Sequence, residues 1–465
     1  MTDFVRSSHE STMRPKTSLL VAVVAIVGCQ HQVTIEPEGP ATITKRISES
    51  NQLDLLFVID DSTSTSDKQV AFANNLSAFV TALDAFPLGR PSLHIAVVST
   101  SIAIGSSDSA SYGEECTASP GEDGLLQNTE RIPGCTAPNG RFISDIAQPD
   151  GTRQTNYAGT LPDTLACIGE LGEQGCGFES PLEAIKRALD GSHPENAGFL
   201  RDNADLGIVI LTDEDDCSAN PSLFDHPTSD AGPSDLRCAL YGYTCDRPID
   251  PTLPESYANC APTLGGDLRD PSSYSDFLAT LKDPSQTVVA VVGGDITSGI
   301  NTGPLTIGGN TQSLAVEPSC NATINGNLAI ARPGIRLGAF SDMFGDHGIY
   351  ETVCQADYSG ALTAIGDKLF TMMSPCIEGD ISIVDVDVAN PGLQPACTVT
   401  ENGVDMPACA MLNESTPAPN GTHPCWWLDS APVACADTAT GLQLNVARDR
   451  DAPPDGLLTV SCATP

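Results

Sequence analysis

Seventeen cysteines, with no tight C-x-x-C pair among them, constrain this chain more than any other feature of its sequence. Thiols at this density are either metal ligands or disulfides, and the usual zinc sites need the closely spaced pairs that are missing. A disulfide framework formed in an oxidising compartment is the expectation. The odd total leaves one cysteine to be placed, and the amino terminus offers a place for it. Residues 19–27 read LLVAVVAIV, an apolar run following Arg14 and Lys16. The run is shorter than the ~20 residues that span a bilayer and has the length of a secretory h-region. It ends in Ile26-Val27-Gly28-Cys29.

That ending resembles the lipobox of bacterial lipoproteins, in which the cysteine becomes the lipidated first residue. The resemblance implies a signal peptide over residues 1–28, a lipid on Cys29 and attachment to a membrane through it. Sixteen cysteines then remain, enough for eight disulfides. An ordinary cleaved signal or an uncleaved anchor is the other reading of the run. Met13 reads as the start, because residues 1–12 add only an extension with Asp3 and Glu10 ahead of the basic segment. Gln30 rather than Asp follows the cysteine, which in such lipoproteins directs the protein to the outer membrane of a Gram-negative bacterium. The periplasmic and surface faces both stay open.

Charge narrows the partners. Lys plus Arg number 22 and Asp plus Glu 60, a net charge of −38. Binding a phosphate backbone needs a cationic surface, so nucleic acid is excluded as a partner, as is an anionic lipid surface held by charge alone. A solvated acidic surface is the ordinary meaning of such a balance, and affinity for divalent cations is the other.

Residues 29–50 are polar, with Pro37 and Pro40, and read as a tether. LDLLFVID at 53–60 is an apolar run bounded by polar residues, which marks a strand buried on both faces. Phe72, Leu76, Val80 and Leu83 then recur at helical spacing. LHIAVVS (93–99), LGIVILT (206–212) and QTVVAVVGG (286–294) read as further strands, with a short one near 348–353. Helical patterns fall at 163–171, 181–190, 273–282 and 359–373. The stretch 104–160 is longer than a compact domain tolerates unless stapled, and Cys116 and Cys135 are candidates for the staple. Apolar strands alternating with helices predict an α/β fold, a doubly wound and mostly parallel sheet with long disulfide-stapled inserts, over residues 51–375. Residues 376–465 change texture. Alternation in ISIVDVDV (381–388) and LQLNV (442–446), frequent turns and six cysteines predict a small β-rich domain. Ten cysteines fall before the boundary, so both counts are even, and Cys167–Cys176 and Cys238–Cys245 are plausible short loops.

The chemistry concentrates at Asp60-Asp61-Ser62-Thr63-Ser64, which directly follows the first buried strand. In open α/β sheets ligands bind at that edge. A strand-end loop entering a helix can aim a carboxylate and two hydroxyls at one point, and oxygen ligands suit Mg²⁺ or Ca²⁺. A cap for the following helix, through Ser66 or Asp67, is the alternative use of the segment. LGIVILTD (206–213) ends a second buried strand in an acid, Asp213, followed by Glu214-Asp215-Asp216. These three read as a solvated loop, as outer support for a metal or as a second Ca²⁺ site.

The pattern Asp60-x-Ser62-x-Ser64 resembles the metal-ion-dependent adhesion site of von Willebrand factor A domains, and ACIGELGEQGCGFESPLEA (166–184) with VILTDEDDCS (209–218) resembles uncharacterised cysteine-rich bacterial lipoproteins carrying that domain. The resemblance implies that Asp60, Ser62, Ser64 and Asp213 hold Mg²⁺ or Ca²⁺ and that a partner's carboxylate completes the coordination. Such domains usually supply a threonine from a third loop. Here Glu179 stands at the matching position, with Ser180 beside it, and Glu179 is equally suited to the first turn of the following helix. No G-x-S-x-G, H-E-x-x-H or P-loop occurs. His94 reads as a packed strand residue, and Trp426 or Trp427 as a ring over a disulfide. The reading is therefore non-enzymatic: a lipid-anchored envelope protein that binds a protein partner through a metal. The alternatives are a structural envelope protein whose metal only stabilises the fold, and a hydrolase using the metal or Ser64.

Overall fold

The computed structural model describes residues 41–465 except 49–50, 87–88, 105–115, 117–121, 227–233, 308–309, 378, 431–434, 436–437, 439, 451–452 and 454–455. The signal segment and Cys29 lie outside the described residues. Thr42–Pro465 form one compact unit.

Along the chain, β1 (Thr42–Ser48) precedes β2 (Gln52–Ile59), the first apolar run. Then come α1 (Ser66–Ala73), α2 (Leu76–Asp84), β3 (Ser92–Ser99), β4 (Ile143–Ala147) and β5 (Arg153–Thr155). Next are α3 (Leu161–Gly169), α4 (Pro181–Leu189) and β6 (Asp205–Leu211). The following insert holds α5 (Ser234–Gly242), β7 (Tyr243–Thr244), β8 (Ser256–Ala258) and β9 (Ala261–Pro262). It leads to α6 (Pro271–Leu281) and β10 (Thr287–Gly293). Two hairpins follow, β11 (Gly299–Ile307) with β12 (Asn310–Val316), and β13 (Cys320–Ile324) with β14 (Asn327–Ala331). After them come α7 (Ile335–Asp342), β15 (Gly348–Thr352) and α8 (Ser359–Met373). The carboxy-terminal part has β16 (Cys397–Glu401), β17 (Val404–Met406), β18 (Met411–Asn413), β19 (Thr416–Pro417), β20 (Cys425–Ser430), β21 (Leu442–Ala447) and β22 (Leu457–Ala463).

The central sheet has seven strands in the order β15-β10-β6-β2-β3-β4-β5. Pairing is parallel from β15 to β3 and antiparallel at β4 and β5. Chain order reverses at β2: later strands add beyond β6 on one side, while β3 and β4 lie on the other. The carboxyl ends of β2 and β6 therefore flank a topological switch point, where an open α/β sheet leaves a crevice. Alternate residues of β2 enter two separate cores. Leu53, Leu55, Phe57 and Ile59 pack with residues of α1, α2, α3 and α8, and Leu56 and Val58 with residues of α4, α6 and α7. Both faces of the sheet are thus covered, which is why its strands are apolar without alternation.

The carboxy-terminal sheet has the order β1-β22-β16-β17, with a separate β20–β21 ribbon. Ile47, Val399, Trp426, Leu444 and Val460 share its core. Residues 42–48 lie in the segment expected to be a tether, yet all seven pair with β22, from Thr42 opposite Ala463 to Ser48 opposite Leu457. Ile43 and Ile47 supply the apolar anchors, a short alternation hidden among charged neighbours. The segment 381–388 departs the other way. It belongs to no strand, and Ile383, Val384, Val386 and Val388 are exposed. Ser382 N bonds Ala463 O and Val386 N bonds Gln394 O, so its backbone is held by isolated contacts rather than a ladder.

The helix expected through Phe72 and Leu83 breaks into α1 and α2 at Asn74-Asn75, where Asn75 Nδ2 bonds Ala71 O at 2.8 Å. Asparagine side chains compete with the helix for its carbonyls in this way. The stretch 104–160 contributes β4 and β5 to the sheet edge, held by Arg153 across Asp145.

Among the described residues, eight disulfides join Cys116–Cys176, Cys135–Cys167, Cys217–Cys238, Cys245–Cys260, Cys320–Cys354, Cys376–Cys435, Cys397–Cys462 and Cys409–Cys425. None crosses the 375/376 position. The short loops Cys167–Cys176 and Cys238–Cys245 do not form. Cys116 bonds Cys176 and Cys135 bonds Cys167, while Cys238 reaches back to Cys217 and Cys245 forward to Cys260. Four bridges do join cysteines consecutive in the sequence, Cys217–Cys238, Cys245–Cys260, Cys320–Cys354 and Cys409–Cys425. Trp427 packs against the Cys409–Cys425 bridge, while Trp426 enters the core and donates Nε1 to Met406 O at 2.9 Å.

Candidate metal centre

Asp60 follows β2 directly, and its own N bonds Leu211 O at 2.9 Å, tying the end of β2 to the end of β6. Its side chain is fully buried. Oδ1 accepts from Ser62 N at 2.8 Å and Oδ2 from Thr212 Oγ1 at 2.7 Å. The Asp60 carbonyl is held by Gln69 Nε2 at 2.6 Å and by Thr65 Oγ1 at 2.8 Å. Thr65 sits at the N-cap position of α1 but directs its hydroxyl backward to this loop, so neither it, Ser66 nor Asp67 serves as a side-chain cap.

Ser62, Ser64 and Asp213 come together. Ser62 Oγ lies 3.2 Å from Ser64 Oγ, and Ser64 Oγ donates to Asp213 Oδ1 at 3.0 Å. The other Asp213 oxygen faces Lys68 Nζ at 2.9 Å. Lys68 is 1% exposed, sits one helical turn beyond Ser64 and also bonds Ser64 O at 2.8 Å. Sequence spacing singled out neither Lys68 nor Thr212. The signals were present: an i, i+4 relation to Ser64, and a hydroxyl immediately before Asp213 on the same strand end.

Glu179 arrives on the loop before α4. It is 1% exposed, and its Oε2 has no hydrogen-bond partner. Its backbone carbonyl accepts from Cys217 N at 2.8 Å. The neighbouring Ser180 bonds Thr100 O through its N, while its Oγ turns to Phe178 O at 3.2 Å. Among the described residues, Thr100 Oγ1 and Glu214 Oε2 are further buried oxygens at this edge without a partner. Of the three acids the sequence offered as outer support or a second Ca²⁺ site, Glu214 is the one left with an unpartnered oxygen here.

The electrostatics follow from crowding carboxylates in a dry place. Burial, then Glu214, then Asp60 push the Glu179 carboxyl well above its usual range. Burial also raises Asp60, despite hydrogen bonds from Ser62 and Thr212. Asp213 is pushed up to about 6, by burial and then Asp60, with Lys68 opposing. Glu214 is pushed up to about 8, by burial and then Asp235.

Asp215 and Asp216 are buried, contrary to a solvated-loop reading. Asp215 accepts from Arg336 N at 2.7 Å and Leu337 N at 2.9 Å, in the first turn of α7, and from Tyr243 Oη at 2.7 Å. Asp216 accepts from Leu182 N of α4 at 3.2 Å and from the buried Arg336 at 3.0 Å. Both anchor helix amino termini. Asp61 points away from the cluster. Ser101 Oγ donates to it at 2.9 Å, and Gly175 N bonds its carbonyl at 2.7 Å. A Cβ at Gly175 would fall 2.2 Å from Asp61 Oδ1, so only glycine permits this approach.

The donor set is oxygen only, as hard divalent cations require. Among the described residues, no group of three or more His, Cys, Asp or Glu side chains could hold a metal ion, so any such site here also depends on the hydroxyls of Ser62 and Ser64. His94 packs in β3, with Nδ1 2.9 Å from Phe199 O.

No family model and no curated protein matches the chain. Among solved structures it is similar to the pilus adhesin SpaC from Lactobacillus rhamnosus GG in an open conformation, at 11% identity and a TM-score of 0.30, over 90% of this chain and 40% of that one. It is also similar to proximal thread matrix protein 1 from the mussel byssus, at 9% identity and a TM-score of 0.27, over 71% of this chain and 48% of that one. The pilus adhesin RrgA from Streptococcus pneumoniae gives 11% identity and a TM-score of 0.24, over 90% of this chain and 58% of that one. The chain spans less than two thirds of each of these structures.

Proposed function

We propose that the switch-point edge of the sheet is a divalent-cation site of the von Willebrand factor A type, and that the protein binds a partner protein through it. The observation that carries this reading is a buried carboxylate, Glu179, left with an unpartnered oxygen and electrostatically coupled to Asp60, Asp213 and Glu214. A buried carboxylate without a donor is costly unless a cation or a proton answers it. Asp60, Ser62, Ser64 and Asp213 would hold Mg²⁺ or Ca²⁺, with Glu179 at the rim of the site. When bound, the cation supplies positive charge to which an acidic residue of the partner can be drawn. The residues of this chain orient the site: Thr212 and Ser62 N fix Asp60, and Gln69 and Thr65 fix the loop carbonyl.

Calorimetric titration with Ca²⁺ and Mg²⁺, set beside an Asp60→Ala variant, tests the cation. Saturable binding in the wild type that is lost in the variant supports the reading; identical traces reject it. Deep burial of Glu179 and Asp213 favours a second reading, in which the metal only stabilises the fold. Capture of partners from an envelope extract with and without chelator, the fold being monitored by circular dichroism, separates the two.

The eight disulfides belong to an oxidising compartment, consistent with an envelope or secreted protein. We also propose that Cys29 carries a lipid anchoring the protein to the outer membrane. Mass spectrometry of the mature amino terminus should find an acylated Cys29, and an unmodified amino terminus at another residue would reject it.

A further inference from the structure

The cluster already contains a cation of its own. Lys68 Nζ lies 2.9 Å from Asp213 Oδ2, 2.8 Å from Ser64 O and 3.6 Å from Asp67 Oδ1. The residue is 1% exposed. An ammonium is rarely buried to this extent unless paired, and here its partners belong to the loop and strand end that carry the candidate ligands. Asp213 thereby has both oxygens engaged, one by Ser64 Oγ and one by Lys68. Glu179, in contrast, keeps an unpartnered buried oxygen.

We propose that Lys68 is an internal competitor for the divalent cation: its ammonium holds Asp213 and the Ser64 loop together in the metal-free protein and is displaced from Asp213 when Ca²⁺ or Mg²⁺ enters. The proposal rests on the cation reading above and specifies how that site is regulated. A lysine ammonium and a divalent ion sharing one carboxylate repel each other strongly in a buried setting. Metal binding therefore includes the loss of the Lys68–Asp213 pair. The site fills only where the divalent ion is abundant, and emptying it does not leave Asp213 uncompensated. The fold is thus insulated from metal loss while the affinity is kept weak.

The test compares Lys68→Gln with the wild type. Glutamine retains a donor for Ser64 O and removes the charge. Calorimetric titration should show Ca²⁺ or Mg²⁺ bound about tenfold or more tightly by Lys68→Gln. The metal-free variant should also melt below the wild type, and saturating metal should close most of that gap. Equal affinities in the two proteins would overturn the role of Lys68 and leave the cation site standing; absence of binding in both would overturn the site and this inference together. A second measurement needs no variant. Acylation of wild-type lysines with an N-hydroxysuccinimide ester, read by peptide mass spectrometry, should label Lys68 more strongly at saturating Ca²⁺ than in chelator. Labelling of Lys68 that is unchanged or reduced by metal rejects displacement.

Discussion

Asp60 has both side-chain oxygens hydrogen-bonded by its own chain, through Ser62 N and Thr212 Oγ1, whereas Glu179 has one oxygen with nothing to accept from. The two acids should therefore answer mutation differently. Asp60→Ala should abolish metal-induced thermal stabilisation. Glu179→Thr should weaken metal retention yet raise the melting temperature of the metal-free protein, because it removes an uncompensated buried carboxylate with a cost of about 1–3 kcal/mol. Scanning calorimetry in chelator and at saturating Ca²⁺ checks both; a metal-free Glu179→Thr that melts below the wild type would show that the carboxylate is satisfied after all. Asp205, at the opposite edge of the sheet, provides a pH test. It is 1% exposed, its Oδ2 lacks a partner, and burial pushes its carboxyl up to about 8. A raised carboxyl favours the folded state while protonated, so its contribution is complete below about pH 4 and lost as pH rises through about 8. Asp205→Asn, which mimics the neutral acid, should flatten the fall in stability across that window and raise the melting temperature at pH 8. An unchanged pH profile would place the proton elsewhere. Asp60, Ser62, Ser64 and Asp213 were legible because a polar triad at the end of an apolar run stands out. Lys68 and Thr212 were not, since a lysine on a helix is normally solvated and only the packing shows which way it turns.

At the scale of elements, the buried strands β2, β3, β6 and β10 and the helix α8 could be read from the sequence because uniform apolarity or a sustained helical period leaves few alternatives. β1 and β4 could not, as their apolar residues are few and gain burial only from distant partners. ISIVDVDV misleads for the converse reason: its alternation is that of a strand, but no neighbouring edge pairs with it. The loop carrying Glu179 shows how an irregular element is made rigid. Cys176, three residues earlier, is bonded to Cys116 and donates its N to Ser101 Oγ at 2.8 Å. Cys217, bonded to Cys238, holds the Glu179 carbonyl. Both bridges pack together around Phe178. Replacing Cys116 and Cys176 with serine should cost about 2–4 kcal/mol of stability. It should also lower metal affinity while Asp60, Ser62 and Ser64 stay in place. Denaturant unfolding with parallel metal titration measures the two effects, and a loss of stability with unchanged affinity would show that the loop does not depend on this bridge.

For the whole molecule, a net charge of −38 implies self-repulsion that salt relieves. Melting temperature should rise with NaCl even when no divalent ion is present, so metal titrations need matched ionic strength. A melting temperature independent of NaCl would mean that the acidic groups are compensated pairwise. The two ends of the described chain meet in one sheet: Thr42 pairs with Ala463, and β22 is fastened to β16 by Cys397–Cys462. This arrangement ties β1 to a strand far along the chain. β1 precedes its only described strand neighbour, β22, by almost the whole described chain. A chain cut between Glu401 and Leu457 keeps β1 and β16 without the strand that joins them, and a thiol at Cys397 without Cys462. In a partner-less state that sulfur is a free thiol open to exchange in an oxidising compartment, whereas the paired sheet buries it in the bridge to Cys462.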